Sequence, residues 1–158
     1  MSDKPKIHVP LSIKIVLSLF LVAVIGVQSF RFYWPKAEIA LGGHTLQVQE
    51  ADNNYRHFKG LSGRKTLDPY DGMLFIFPYA GQYTFVMRGM KFPLDIIWLE
   101  KGVVVDIAPN LPPEDGVPED QLKRYIPRLP ASMVLEVKAG WVTEKGIKIG
   151  DTLVVRSK

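Results

Sequence analysis

The 158-residue chain contains no cysteine. That absence excludes disulfides, thiolate metal sites and cysteine nucleophiles, and it also rules out a lipid-modified N-terminal cysteine. It does not identify a compartment, because cysteine-free proteins occur on both sides of membranes. Excess charge of one sign is also small. The net charge is +4, and beyond residue 30 there remain 17 basic and 15 acidic side chains. No basic stripe with interleaved aromatics follows, so no nucleic-acid partner is expected. Histidine occurs three times, as His8, His44 and His57, with no metal-ligand spacing. These three are read as surface residues. The phosphate-loop string G-x-x-x-x-G-K-[ST] is missing, as are internal repeats and low-complexity segments.

What is present is one long apolar run. Leu11 to Phe30 is twenty residues with a single charge, Lys14. As a helix it spans roughly 30 Å, about the thickness of a bilayer core. Lys4, Lys6 and Lys14 stand at its start, and Phe32, Tyr33 and Trp34 follow at the depth where aromatic rings favour the interface. Pro35 stops the helix. The expected organisation is a cytoplasmic tail over 1–10, a transmembrane anchor over 11–30, a linker over 31–36 and a domain over 37–158. The basic residues favour an extracytoplasmic, periplasmic domain. The alternative is a signal segment cleaved near Ser29, which leaves a secreted domain.

Over the whole chain, apolar residues are 47% and charged residues 23%, which is globular composition. Glu38 to Gln49 reads as a hairpin turning at Gly42-Gly43, with Ile39 opposite Leu46. Ala51 to Lys59 fits a short surface helix ending at Gly60. Met73 to Phe77 is a continuous apolar run suited to a doubly buried strand. Tyr79 to Gln82 is read as a turn and Tyr83 to Met87 as the next strand. Leu94 to Leu99 and Val103 to Val105 are strand-like around a Lys101-Gly102 turn. Pro109 to Pro130 holds six of the twelve prolines and reads as a long loop without regular structure. Met133 to Val137 and Thr152 to Val155 are the last strands, and Trp141 to Lys145 is read as a short helical turn. Seven or eight short strands with one or two short helices predict a mainly β fold, an antiparallel sandwich or barrel.

Gly60-Leu61, Arg64, Asp71-Gly72-Met73-Leu74-Phe75, Met87 and Pro93-Leu94-Asp95-Ile96-Ile97 then occur in order. Leu135-Glu136, Ala139-Gly140 and Gly146-Ile147-x-x-Gly150-Asp151 continue the pattern. This succession, from about Ala37 to Val155, resembles domain-of-unknown-function family 192 (DUF192). The resemblance implies a jelly-roll-like β fold and a frequent N-terminal export segment or anchor, and it implies no activity. The chain departs from the pattern in its Pro-rich stretch, which is longer and more acidic, with Glu114, Asp115, Glu119 and Asp120.

The candidate site residues are Arg64, Asp71, Asp95 and Glu136. Asp95 and Glu136 lie within apolar strands, where an unpaired carboxylate is costly and needs a reason. Glu136 is expected to point away from both Leu135 and Val137. One reading gathers the four into a polar cleft, in which paired carboxylates do acid–base chemistry or a guanidinium holds an anion. The other reading is a structural network tying strand ends to loops. Met73, Met87, Met90 and Met133 permit a thioether copper site on paper, but methionine in a β core is ordinarily filler. No catalytic residue, metal or cofactor is assigned. The expected role is a membrane-tethered binding or interaction domain without evident catalysis, with an envelope protein or small ligand as partner. The competing roles are a small envelope-acting hydrolase or transferase using the carboxylates, and a structural subunit of a membrane assembly.

Overall fold

The computed structural model describes residues 10–157, and the side chains of residues 30–32 and 157 are left out of the description. The expected tail over 1–10 therefore lies outside the described residues apart from Pro10. The chain divides after Trp34 into two units. The first contains one helix, α1 (Leu11–Phe32), 22 residues long. Its Leu11–Ser29 portion has a mean hydropathy of 2.3 and none of it is buried. A helix that is apolar all round suits lipid surroundings or an export signal. It starts after Pro10 and ends where Tyr33 turns extended, its N–H still bonded to the Ser29 carbonyl at 3.0 Å.

The second unit is a seven-stranded sheet with two short helices. Its strands are β1 (Lys36–Leu41), β2 (His44–Ala51), β3 (Gly72–Gly81), β4 (Leu94–Glu100), β5 (Val103–Leu111), β6 (Ala131–Lys138) and β7 (Leu153–Ser157). Helix α2 (Asn54–Lys59) joins β2 to β3, and α3 (Trp141–Lys145) follows β6. The spatial order is β5-β4-β6-β3-β2-β1-β7. The β1–β2 hairpin has the expected register, Ile39 opposite Leu46, around Gly42 and Gly43 at φ 55° and 86°. Only glycine takes two successive left-handed residues without strain.

Near the starts of β5 and β7 the sheet edges meet. Val104 N–H donates to the Asp151 carbonyl at 2.9 Å and Leu153 N–H to the Gly102 carbonyl at 2.7 Å. The sheet is thus curled into a half-barrel. It is mixed rather than purely antiparallel, because β2 and β3 run parallel. The reason is α2, whose crossover returns the chain to the same end of the sheet.

Three local expectations need correction. Tyr83 to Met87 is not a strand. Only Phe85 pairs, through an isolated bridge to Tyr125. The Tyr79–Gln82 turn is largely absorbed into β3, which runs to Gly81. The Pro-rich stretch is partly regular, since β5 continues to Leu111 and Glu119–Gln121 forms a 3-10 turn. Proline is tolerated in β5 because β5 is an edge strand whose register shifts around residues 109–110.

The central strands β3, β4 and β6 are buried on both faces over much of their length. Ile39, Leu41, Leu46, Val48, Leu74, Ile97, Leu99, Leu135 and Val137 form one face of the core, closed by Val142 and Ile147. Alternation along the strands sends Met73, Phe75, Ile96, Trp98, Val134 and Glu136 to the other face. That face carries the candidate site.

Candidate functional site

Glu136 sits at the centre of the sheet, between Met73 of β3 and Ile96 of β4. Its row continues to Gln49 of β2 beyond Met73. It points away from Leu135 and Val137, which belong to the core on the opposite face. The residue is 6% exposed, and its Oε2 is buried without a hydrogen-bond partner. Burial pushes its carboxyl up to about 8, and the positive charge of Arg64 pulls in the other direction. At neutral pH this acid is mostly protonated, which is how a buried carboxyl without bonds avoids the cost of its charge.

Glu136 lines a cavity of about 190 Å³. Phe75, Phe77, Phe85, Val86, Leu61 and Met90 supply apolar wall. Local structure explains how these residues assemble. Asn53 caps α2 by accepting the Arg56 N–H at 3.0 Å, and Gly60 ends it with φ 45°. The helix lays His57 on Phe77, with ring centroids 4.4 Å apart, and His57 Nε2 lies 2.9 Å and 3.0 Å from the carbonyls of Ala51 and Ile76. His57 is therefore half-buried rather than the surface residue expected. Phe77 stacks on Tyr83 at 3.6 Å. The segment after β3 is pinned by Trp98 Nε1–H donating to the Tyr83 carbonyl at 3.3 Å and by reciprocal 2.9 Å bonds between Phe85 and Tyr125.

The cations around the cavity are already engaged. Lys59 Nζ donates to the Ser62 carbonyl at 2.8 Å. Arg88 donates to Glu119 at 2.6 Å and to the Phe58 carbonyl at 3.1 Å. Arg64 is near enough to Glu136 to act on it electrostatically, while its Nη1 donates to Gln49 Oε1 at 2.5 Å. Burial holds the Arg64 guanidinium below its ordinary range, against the pull of Tyr70 and Glu136.

The other two candidates lie elsewhere. Asp95 is fully buried on the core face of β4, opposite to Glu136. Its Oδ1 accepts the N–H groups of Asn110 at 2.7 Å and Gly140 at 3.1 Å, and its Oδ2 accepts Val142 N–H at 2.9 Å. One carboxylate thus ties β4 to the end of β5 and to the start of α3. Asp71 is exposed and locks β2 to the start of β3. It accepts Gln47 N–H at 2.7 Å and donates its own N–H to the Gln47 carbonyl at 2.8 Å. The structure therefore brings Arg64 and Glu136 together and separates Asp95 from both. The two carboxylates cannot act on one substrate atom from opposite faces of a sheet.

Sequence reasoning missed two features. Asp106, 7% exposed, accepts the backbone N–H of Arg128 at 2.7 Å and its Nε and Nη2 at 3.0 Å and 2.6 Å. Burial raises its carboxyl, but the Arg128 side-chain and backbone bonds outweigh this and hold it below the ordinary range. This clamp fastens the Pro-rich strap to the sheet; the Asp106–Arg128 spacing offers no local signal. The second is a cavity of about 400 Å³, lined in part by Leu67, Tyr70, Asp71, Phe92, Lys138 and Trp141. No buried unpartnered side-chain atom lies among its described lining residues. Among the described residues no group of three or more His, Asp or Glu side chains is placed to hold a metal.

The fold and site define a small curled-sheet domain with a buried acid, Glu136, beside a cavity of mixed apolar and polar lining. The chain matches the DUF192 family, described as "Uncharacterized ACR", over residues 37–155, and it belongs to that family. No curated protein matches it. Among solved structures it is similar to a protein of Sinorhizobium meliloti 1021 provisionally described as a transcription regulator. That pair is 28% identical with a TM-score of 0.69, covering 77% of this chain and 95% of the other. A protein of unknown function from Novosphingobium aromaticivorans DSM 12444 is 29% identical with a TM-score of 0.67. Here the coverage is 75% of this chain and 84% of the other.

Proposed function

We propose that this chain is a membrane-tethered binding module, without catalysis of its own, that takes a small ligand in the cavity over Glu136. In this reading residues 1–10 are a cytoplasmic tail, 11–30 the anchor, 31–36 the linker and 37–158 an extracytoplasmic domain. The observation that carries it is the Glu136 carboxyl, whose Oε2 is buried and unbonded, in a residue that lines a cavity of mixed apolar and polar wall. A fold gains nothing from such a group, so a ligand that satisfies it is the natural reason for its presence. Arg64 completes the site as the charge that tunes Glu136. Asp71 and Asp95 support the scaffold around it. The transcription-regulator description stays with the S. meliloti protein, since 17 basic against 15 acidic side chains beyond residue 30 is too small an excess to argue for a nucleic-acid partner here.

The test is native mass spectrometry of the full-length protein, extracted from its own membrane in mild detergent. The expected result is a retained small-molecule adduct that disappears in Glu136→Leu. Adduct-free protein in both forms, or an adduct indifferent to the substitution, overturns the reading. The same spectrum reads the intact mass. A full-length mass supports the anchor, and a loss of about 29 residues near Ser29 replaces it with a cleaved signal.

A further inference from the structure

We propose that the ligand over Glu136 is a compact organic ammonium, whose charged nitrogen donates to the Glu136 carboxylate while its apolar body lies against Phe75, Phe85 and Met90. The inference rests on the binding reading above and names the chemistry of the same site. Three features point to a cation with a short apolar body.

The first is the acceptor. Glu136 Oε2 is the one buried, unpartnered side-chain atom among the described lining residues. As a carboxylate this group accepts from a donor or a positive charge and repels an anion, whereas while it keeps its proton it can also donate one hydrogen bond. The second is the state of the neighbouring charges. Met73 and Ile96 flank Glu136 on β3 and β4 and carry no charge. From α2, Lys59 is bonded to the Ser62 carbonyl and His57 Nε2 lies against two backbone carbonyls. From the segment after β3, Arg88 is bonded to Glu119 and Phe58, and Tyr83 Oη–H donates to the Tyr79 carbonyl at 2.8 Å. From the segment after α2, Arg64 donates to Gln49. Each titratable or charged lining group other than Glu136 thus already has a bond. The third is size. A cavity of about 190 Å³ has room for an amine with a ring or a short chain.

The chemistry balances as a proton exchange. Below about pH 8 the site holds a carboxylic acid. An ammonium enters from solution, the carboxyl proton leaves to solvent, and an ammonium–carboxylate pair remains. One proton is released per ligand bound. Binding therefore strengthens about tenfold per pH unit as pH rises toward 8, and levels off above it.

The experiment is isothermal titration calorimetry of full-length protein in mild detergent. The probes are benzylamine, its uncharged counterpart benzyl alcohol, and benzoate. Titration at pH 6 in buffers of different ionisation enthalpy counts the protons released and needs no variant. The expected result is benzylamine binding at least tenfold tighter than benzyl alcohol, with close to one proton released at pH 6. Tightening between pH 6 and 7 by about tenfold should accompany this, and Glu136→Gln should abolish both the preference and the proton release. Equal binding of benzyl alcohol without proton release overturns the ammonium class and leaves the cavity reading standing. Preferential binding of benzoate overturns it in favour of Arg64 or Arg88. If none of the three binds, the inference is wrong, and the adduct seen or missing in the mass spectrum decides separately whether the binding reading survives.

Discussion

Replacing Glu136 by glutamine keeps the shape of the buried side chain and removes the group that titrates. In the folded protein this carboxyl keeps its proton until about pH 8, whereas an ordinary glutamate loses it near 4.5. Between those values the folded state binds more protons than the unfolded chain. Stability contributed by this group is therefore full at low pH and falls as pH rises through the window. At about 1.4 kcal/mol per pH unit the whole interval corresponds to about 5 kcal/mol. Wild type should lose that increment between about pH 4.5 and pH 8, and Glu136→Gln should not. The assay is chemical denaturation of both full-length proteins in detergent, followed by tryptophan fluorescence at each pH. Only the difference between the two proteins is interpreted, so titration of all other groups cancels. Glu136→Gln should gain several kcal/mol relative to wild type across the window. A difference constant to within about 0.5 kcal/mol would mean that Glu136 is charged and bonded in the native state, and the site description would be wrong.

Three further outcomes follow from the scaffold. Asp95→Asn leaves the N–H groups of Asn110, Gly140 and Val142 facing a weaker acceptor, and should cost about 2–4 kcal/mol by melting. It should leave benzylamine affinity unchanged, because Asp95 lies on the other sheet face. Gly72→Ala drives a Cβ into the Glu136 carbonyl oxygen, which is backbone and cannot swing aside. The strands must part, and a loss of about 2–4 kcal/mol is expected in the denaturation midpoint. Asp106→Ala removes the clamp on the Pro-rich strap, so amide exchange at Arg128 and Tyr125 should accelerate while β4 stays protected. In wild type the same acceleration should appear on acidification only below the ordinary carboxylate range, because Asp106 is held below it and its contribution is lost as pH falls through that lowered value. Unchanged exchange at Arg128 in the variant would show that the strap is held by something else.

Much of the fold was legible because local chemistry and global packing agree. Gly42-Gly43 specifies one kind of turn, and the apolar runs of β3, β4 and β6 mark strands buried on both faces. The parallel β2–β3 pairing was not legible, since it depends on where α2 lands. Tyr83 to Met87 alternates like a strand, yet its backbone finds only Tyr125 as a partner. Its aromatic residues are spent on the cavity wall instead. Within the candidate site, alternation along β6 correctly turned Glu136 away from its neighbours. The same rule separates Asp95 from Glu136 once register is known. Asp95 aligns with Val137 and Ile96 with Glu136, and that one-residue offset puts the two acids on opposite faces. Register across strands 41 residues apart in sequence is not a local property. The proximity of Arg64 and the distant Asp106–Arg128 clamp were hidden for the same reason.

The most direct measurement is a crystal structure of the full-length protein purified from its own membrane without added ligand. The binding reading expects density in the cavity bounded by Phe75, Phe85 and Met90, with an atom within hydrogen-bond distance of Glu136. A cavity closed by side chains, with Glu136 bonded to Arg64 and no room left over it, would contradict that reading and return Glu136 to the structural network.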